Sequence, residues 1–145
     1  MHLRTFPSVP AEWRDEKLAA KWAKVRQVRR VVTGALEVER REKRIGSSLE
    51  ANPAVYLADA SLVDAMQNVD LAEIAITSQA RLIEGAAPEG AFKLEDVAGV
   101  GVVPALAEGK KCARSWKIQP DVGSVAGYPD LTPRDAAAVA EFDAA

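Results

Sequence analysis

Histidine occurs once in this chain, at position 2, and cysteine once, at position 112. With His2 beside the N-terminus, a Ser-His-Asp or Cys-His arrangement would rest on one residue in a segment that ordinarily frays, which excludes triad chemistry. A single cysteine forbids an intrachain disulfide. No apolar run reaches the roughly 18–20 residues that span a bilayer. The opening Met1-His2-Leu3-Arg4-Thr5-Phe6-Pro7 has no apolar core of signal-peptide length. A cytoplasmic protein with no membrane contact is the expectation. Gly99-Val100-Gly101 is followed by Pro104 rather than a third glycine, and no Gly-rich loop ends in Lys-Ser or Lys-Thr. Neither a dinucleotide fingerprint nor a phosphate loop is present. No spacing pairs two carboxylates in a cleft. The chain alone carries no catalytic site.

What is there is a folded protein's balance: 48% hydrophobic and 28% charged residues over 145 positions, room for one ordinary domain or two small ones sharing a core. The net charge of −2 conceals an asymmetry. Residues 1–44 hold 12 Lys/Arg against 6 Asp/Glu, and residues 45–145 hold 7 against 15. Such a split fits a polyanion-binding surface on an acidic body, or else two solvated faces of opposite sign.

Pro7 and Pro10 mark an extended lead-in, with Trp13 as a staple at the helix entry and Asp15 as a cap. From Glu16 to Arg44 the apolar residues Leu18, Trp22, Val25, Val28, Val32 and Leu36 step by three or four, which predicts one long helix with Trp22 in the core. Its other faces carry Lys17, Lys21, Lys24, Arg26, Arg29, Arg30, Arg40, Arg41, Lys43 and Arg44. Gly46 is placed to cap its end, and Pro53 forbids continuation. Strands are predicted at Ala54–Ala58, Ile74–Ile83 and Asp96–Val103, short helices at Ser61–Met66 and Asp70–Ile74, and a further helix at Pro133–Phe142. The fold class is α+β. One long N-terminal helix (1–52) packs beside a small mixed α/β domain (53–108), followed by an irregular tail (109–145).

Two segments carry a family resemblance. Ala35 to Ala51, with Arg40, Lys43 and the turn Gly46-Ser47-Ser48-Leu49-Glu50-Ala51, resembles the last long helix of the anticodon-binding bundle in bacterial isoleucyl-tRNA synthetases. Upstream, His2-Leu3, Phe6-Pro7, Trp13, Trp22 and Val25-Arg26 are similar to the approach to that helix. Gly109-Lys110-Lys111-Cys112-Ala113-Arg114-Ser115-Trp116-Lys117, then Val122-Gly123, resembles the family's C-terminal zinc knuckle, which reads Gly-x-Lys-Cys-x-Arg-Cys-Trp before a second Cys-x-x-Cys. Ile76-Thr77-Ser78-Gln79 matches the junction between the two, so the resemblance spans nearly the whole chain.

The resemblance implies a C-terminal segment of an enzyme that joins isoleucine to its tRNA using ATP. The ATP site and its signature motifs belong to a catalytic domain not represented here, and family-like sequence from the first residues favours a segment of a longer enzyme. The implied partners are isoleucine tRNA and the catalytic and helical-bundle parts of the parent chain. The implied tRNA contacts are Arg40 and Lys43 on the helix, and Lys110, Lys111, Arg114 and Lys117 around Trp116. Each cation reads equally as part of an ordinary surface ion pair, and Trp116 reads as the plug of the knuckle ahead of a base-stacking platform. The four zinc positions read Cys112, Ser115, Thr132 and Asp135, a poor set for a metal that wants four thiolates. No metal or other cofactor is expected. The knuckle should keep its path by packing Trp116, Val122, Tyr128 and Leu131, or else be loosely ordered, with Cys112 an inert relic. Two other readings stand beside this one: a free-standing RNA-binding fragment without ligase activity, and a protein-interaction module docking through the Trp22 stripe.

Overall fold

The structure, a computed structural model, describes residues 8–144; His2 and the other residues of the 1–7 lead-in lie outside the described residues. Helix α1 (Glu16–Arg41) is opened by Asp15, whose carboxylate accepts the Leu18 N–H at 2.9 Å, relieving one of the unpaired first-turn amides. It ends three residues earlier than the periodicity predicts, and Gly46 is not its cap. Lys43 takes the left-handed conformation (φ 59°), with its N–H on Arg40 O (3.0 Å) and the Arg44 N–H on Glu39 O (2.9 Å). This is the hydrogen-bond pattern of a Schellman stop, with lysine where glycine is the usual choice. The carboxylates of Glu39 and Glu42 both hold the Arg44 guanidinium and lock the turn.

Val25, Val28, Val31, Val32, Ala35 and Leu36 form the buried stripe of α1. It packs on a four-stranded mixed sheet of order β2-β1-β4-β3, built from β1 (Ala54–Leu57), β2 (Arg81–Glu84), β3 (Phe92–Leu94) and β4 (Val97–Val103). β1 runs parallel to β2 and antiparallel to β4, with Val55 opposite Val102. Helices α2 (Ala60–Met66) and α3 (Leu71–Ala75) form the β1–β2 crossover and also touch α1. Gly34 lies mid-helix because the Phe92 ring of β3 would stand 3.0 Å from a Cβ there. The α+β fold is as expected.

Three expectations are corrected. Leu18 and Trp22 are 51% and 39% exposed rather than core, because the hydrophobic cluster starts only at Val25 and the first two turns of α1 project past it. Trp13, in a 3-10 turn at Ala11–Trp13, is 74% exposed among the described residues rather than packed at the helix entry. No strand runs over Ile74–Ile83: α3 continues to Ala75, Ile76 turns left-handed (φ 58°), and the Thr77 N–H returns to Ala72 O at 2.9 Å. Only Arg81–Glu84 is extended in the sheet.

Beyond the sheet, β5 (Lys110–Lys111) and β6 (Ile118–Gln119) form a short antiparallel hairpin, and α4 (Pro133–Asp143) closes the chain with Thr132 as its cap. Their small core is Cys112, Val122, Leu131 and Ala136, with Tyr128 half-buried against it. Trp116, expected as the plug, is 61% exposed, and the buried Cys112 thiol sits in its stead. The region is fastened by Ser78 and Gln79 of the Ile76–Gln79 junction. The Ser78 hydroxyl donates to Leu49 O and accepts the Ile118 N–H (2.6 Å). Gln119 Nε2 donates to Ser78 O (2.8 Å), and Gln79 Nε2 to Glu108 O (2.9 Å). Ser78 is buried, so these bonds form away from competing water and fasten the hairpin to the helix-following turn.

Candidate nucleic-acid interface

The hairpin exists because Gly109 lets two backbones meet: at φ 123°, a Cβ there would lie 2.3 Å from the Gln119 carbonyl. From it β5 leads into a tight loop closed by Cys112 N–H on Lys117 O (2.8 Å) and Trp116 N–H on Cys112 O (3.0 Å). Closing the loop puts Trp116 at φ 61°, a conformation that costs a bulky side chain about 1–2 kcal/mol. Its ring then stands out from the surface, with Lys111 Nζ 4.9 Å from the ring centre. Tryptophan held in a strained, exposed position marks a functional candidate.

The two clusters separated in sequence are neighbours in space. Trp116, Lys111 and Ile118 line a cleft of about 330 Å³ whose opposite side is Ser47, Leu49 and Glu50. Those residues belong to a turn (3-10 at Ser48–Glu50), and Ser48 Oγ accepts a hydrogen bond from Arg40 at 2.9 Å. The turn that follows α1 and the hairpin therefore flank one concavity. Ser47, Leu49, Glu50 and Ile118 are lining residues that the sequence reading did not assign; for the first three, their place in the resembling Gly-x-Ser-Leu-Glu-Ala turn was the available signal.

The cations differ in how free they are. Lys43, Lys110 and Lys111 make no ion pair with a described residue. Arg40 is paired with Glu37, Arg114 approaches Asp135 (3.8 Å) and Lys117 is held by Glu73 of α3 at 3.1 Å. Much of the basic face of α1 is likewise engaged: Arg29 donates to Ile74 O (2.7 Å), Lys21 to Gln67 O (3.0 Å), and Arg30 pairs with Asp96. Arg44 is clamped by Glu39 and Glu42, so its hydrogen bond, ahead of its charge and against some burial, holds the Glu39 carboxyl below the ordinary range. Of the unpaired cations, Lys111 on β5 lies directly against the Trp116 ring.

Beneath that surface lie Cys112, Ser115, Thr132 and Asp135, which the fold brings together from two segments. Cys112 Sγ (3.1 Å), Ser115 Oγ (2.7 Å) and Thr132 Oγ1 (2.9 Å) all donate to the same oxygen, Asp135 Oδ2. The Ser115 and Cys112 hydrogen bonds outweigh burial and, with Thr132 and the Arg114 charge, hold the Asp135 carboxyl below its usual range. At Cys112 burial and the carboxylate oppose ionisation, but hydrogen bonds from Ser115 and from the backbone at Ser115 and Thr132 bring the thiol below its ordinary value. No group of three or more His, Cys, Asp or Glu side chains able to hold a metal occurs among the described residues. No described helix is long and apolar enough to cross a membrane.

No protein-family model matches the chain. Curated relatives do. An isoleucine–tRNA ligase from Brucella abortus is 59% identical over 144 residues, which is 99% of this chain and 15% of that protein. The isoleucine–tRNA ligase of Agrobacterium fabrum is 57% identical over 144 residues, and that of Mesorhizobium japonicum 56% over 147. The chain spans about 15% of the length of these relatives.

Proposed function

Since the chain is homologous over nearly its whole length to a segment of isoleucine–tRNA ligases, we propose that it is the C-terminal tRNA-gripping segment of such a ligase. Its task is to hold the anticodon stem-loop of isoleucine tRNA while a catalytic domain elsewhere in the parent enzyme carries out the ATP-dependent joining chemistry. The observation that carries this reading is the exposed Trp116, set in a cleft with the unpaired Lys111 beside it. Sequence-specific RNA recognition uses unstacked loop bases, which need a flat partner for stacking and cations for the flanking phosphates. Trp116 supplies the first; Lys110, Lys111 and Lys43 supply the second directly. Arg40, Arg114 and Lys117 contribute by exchanging their present carboxylate partners for phosphate.

The exposed Leu18 and Trp22 favour a contact of a different kind. An apolar strip on an otherwise basic helix is suited to protein, and in this reading it packs against the helical-bundle part of the parent chain. A free-standing RNA-binding role would leave that strip in water.

The test is binding of the chain to isoleucine tRNA and to an unrelated tRNA across a salt series. Selective affinity that falls steeply with salt and drops in Trp116→Ala supports the grip. Absence of binding at low salt refutes it and leaves the interaction-module reading.

A further inference from the structure

We propose that the C-terminal knuckle is a metal-independent fold in which the Asp135 carboxylate stands where the resembling family places zinc. A zinc ion bonded at about 2.0–2.3 Å in a tetrahedron keeps its ligand atoms about 3.3–3.8 Å apart. Here the donor atoms of Cys112, Ser115 and Thr132 lie 3.1, 2.7 and 2.9 Å from Asp135 Oδ2. All three separations are shorter than an interposed ion allows and fit direct hydrogen bonds. The donor set agrees with the distances: one thiol and two hydroxyls offer three protons, and an ionised carboxylate is the side chain that only accepts. Zinc does not fit this site.

The substitution also solves the problem that loss of a metal poses. A zinc site cross-links two chain segments, and so does Asp135: it lies on the first turn of α4, and its partners Cys112 and Ser115 lie in the β5–β6 loop, 23 and 20 positions earlier. Asp135 is 9% exposed and Cys112 fully buried, so the hydrogen bonds form largely out of water, where each counts for more. Thr132 serves twice, donating to the carboxylate and accepting the Asp135 N–H (3.2 Å) as the helix cap. The knuckle is thereby tied to its own helix without an ion.

Two measurements on the full chain test this. The first is zinc content after expression in zinc-supplemented medium, with the melting temperature taken with and without a strong chelator. The expected result is far less than one zinc per chain and no shift on chelation. About one tightly held zinc per chain, or a fall in melting temperature with chelator, would overturn the proposal. The second is amide hydrogen exchange in Asp135→Asn, whose amide adds protons where three donors already converge. Exchange at Cys112, Ala113 and Gly123, whose N–H groups bond Lys117 O, Asp130 O and Leu131 O, should quicken at least tenfold. Ala58 and Arg81, bonded across the four-stranded sheet, should not change. Unaltered exchange at the knuckle amides would refute the carboxylate hub. If Asp135→Asn fails to fold, the triple variant Ser115→Cys, Thr132→Cys, Asp135→Cys decides. It should take up one zinc per chain and become chelator-sensitive, a dependence the unaltered chain lacks; equal zinc content in the two proteins overturns the idea.

Discussion

Replacing Trp116 by glycine and, separately, by alanine separates what the ring does for RNA from what the residue does for the fold. The tryptophan is 61% exposed, so roughly 80 Å² of it is covered, worth at most about 2 kcal/mol at roughly 25 cal/mol per Å². Both variants lose that contact, along with the exposed Lys111 contact, worth about 0.5–1 kcal/mol. Only the glycine variant escapes the left-handed backbone at φ 61°, a relief of about 1–2 kcal/mol. Glycine returns about 0.4–1 kcal/mol of this as unfolded-chain entropy. The glycine variant should therefore be more stable than the alanine variant by about 0.5–1 kcal/mol, or roughly 1–4 °C in melting temperature for a chain of this size. Neither can stack, so both should lose about 1–3 kcal/mol of RNA affinity, roughly 5- to 150-fold. The assays are thermal unfolding by circular dichroism and tRNA titration at fixed salt. If affinity followed stability, with the glycine variant binding better than the alanine one, the ring would be acting only through the fold. If both bound like the unaltered chain, the stacking role would be wrong; equal stabilities would refute the backbone argument.

Lys110→Ala should weaken tRNA binding and lower the slope of log affinity against log salt by about 1, as expected for one lost phosphate contact; an unchanged slope would remove Lys110 from the interface. Gly109→Ala, which drives a Cβ to 2.3 Å from the Gln119 backbone, should cost more than about 2 kcal/mol by the usual scale of backbone strain and overpacking, read by denaturant titration. The Glu39–Arg44 clamp gives a pH dependence of known sign. Because Arg44 lowers the Glu39 pKa in the folded chain, its contribution is complete above the unfolded carboxylate value near 4.3 and is lost as pH falls through the lower folded value. With Arg44 half exposed, the effect should stay below about 1 kcal/mol. It should be seen as faster amide exchange at Lys43 and Arg44 below about pH 4, and be absent in Glu39→Gln.

The sequence by itself determined the long helix, because a stripe at three- and four-residue steps has one regular solution, and it carried the resemblance to isoleucine–tRNA ligases in its Ala35–Ala51 and Gly109–Lys117 segments. It also placed β1, α2, β4 and α4, each bounded by a capping residue or proline. What it could not determine was where the core stops along α1. Leu18 and Trp22 continue the stripe faultlessly, but burial depends on whether a sheet lies opposite, and the hydrophobic cluster begins at Val25. Ile74–Ile83 alternates like a strand, yet a left-handed Ile76 and the Thr77 return bond end α3 inside it; local pattern lost to a local cap. Lys43 takes a glycine's conformation because Glu39 and Glu42 grip the next residue. Above all, Cys112, Ser115, Thr132 and Asp135 read as the remnant of a metal site when taken one by one. Only the tertiary structure, by bringing three donors within reach of one carboxylate oxygen, turns them into a cross-link, since a hydrogen bond depends on distances between segments that sequence spacing does not contain.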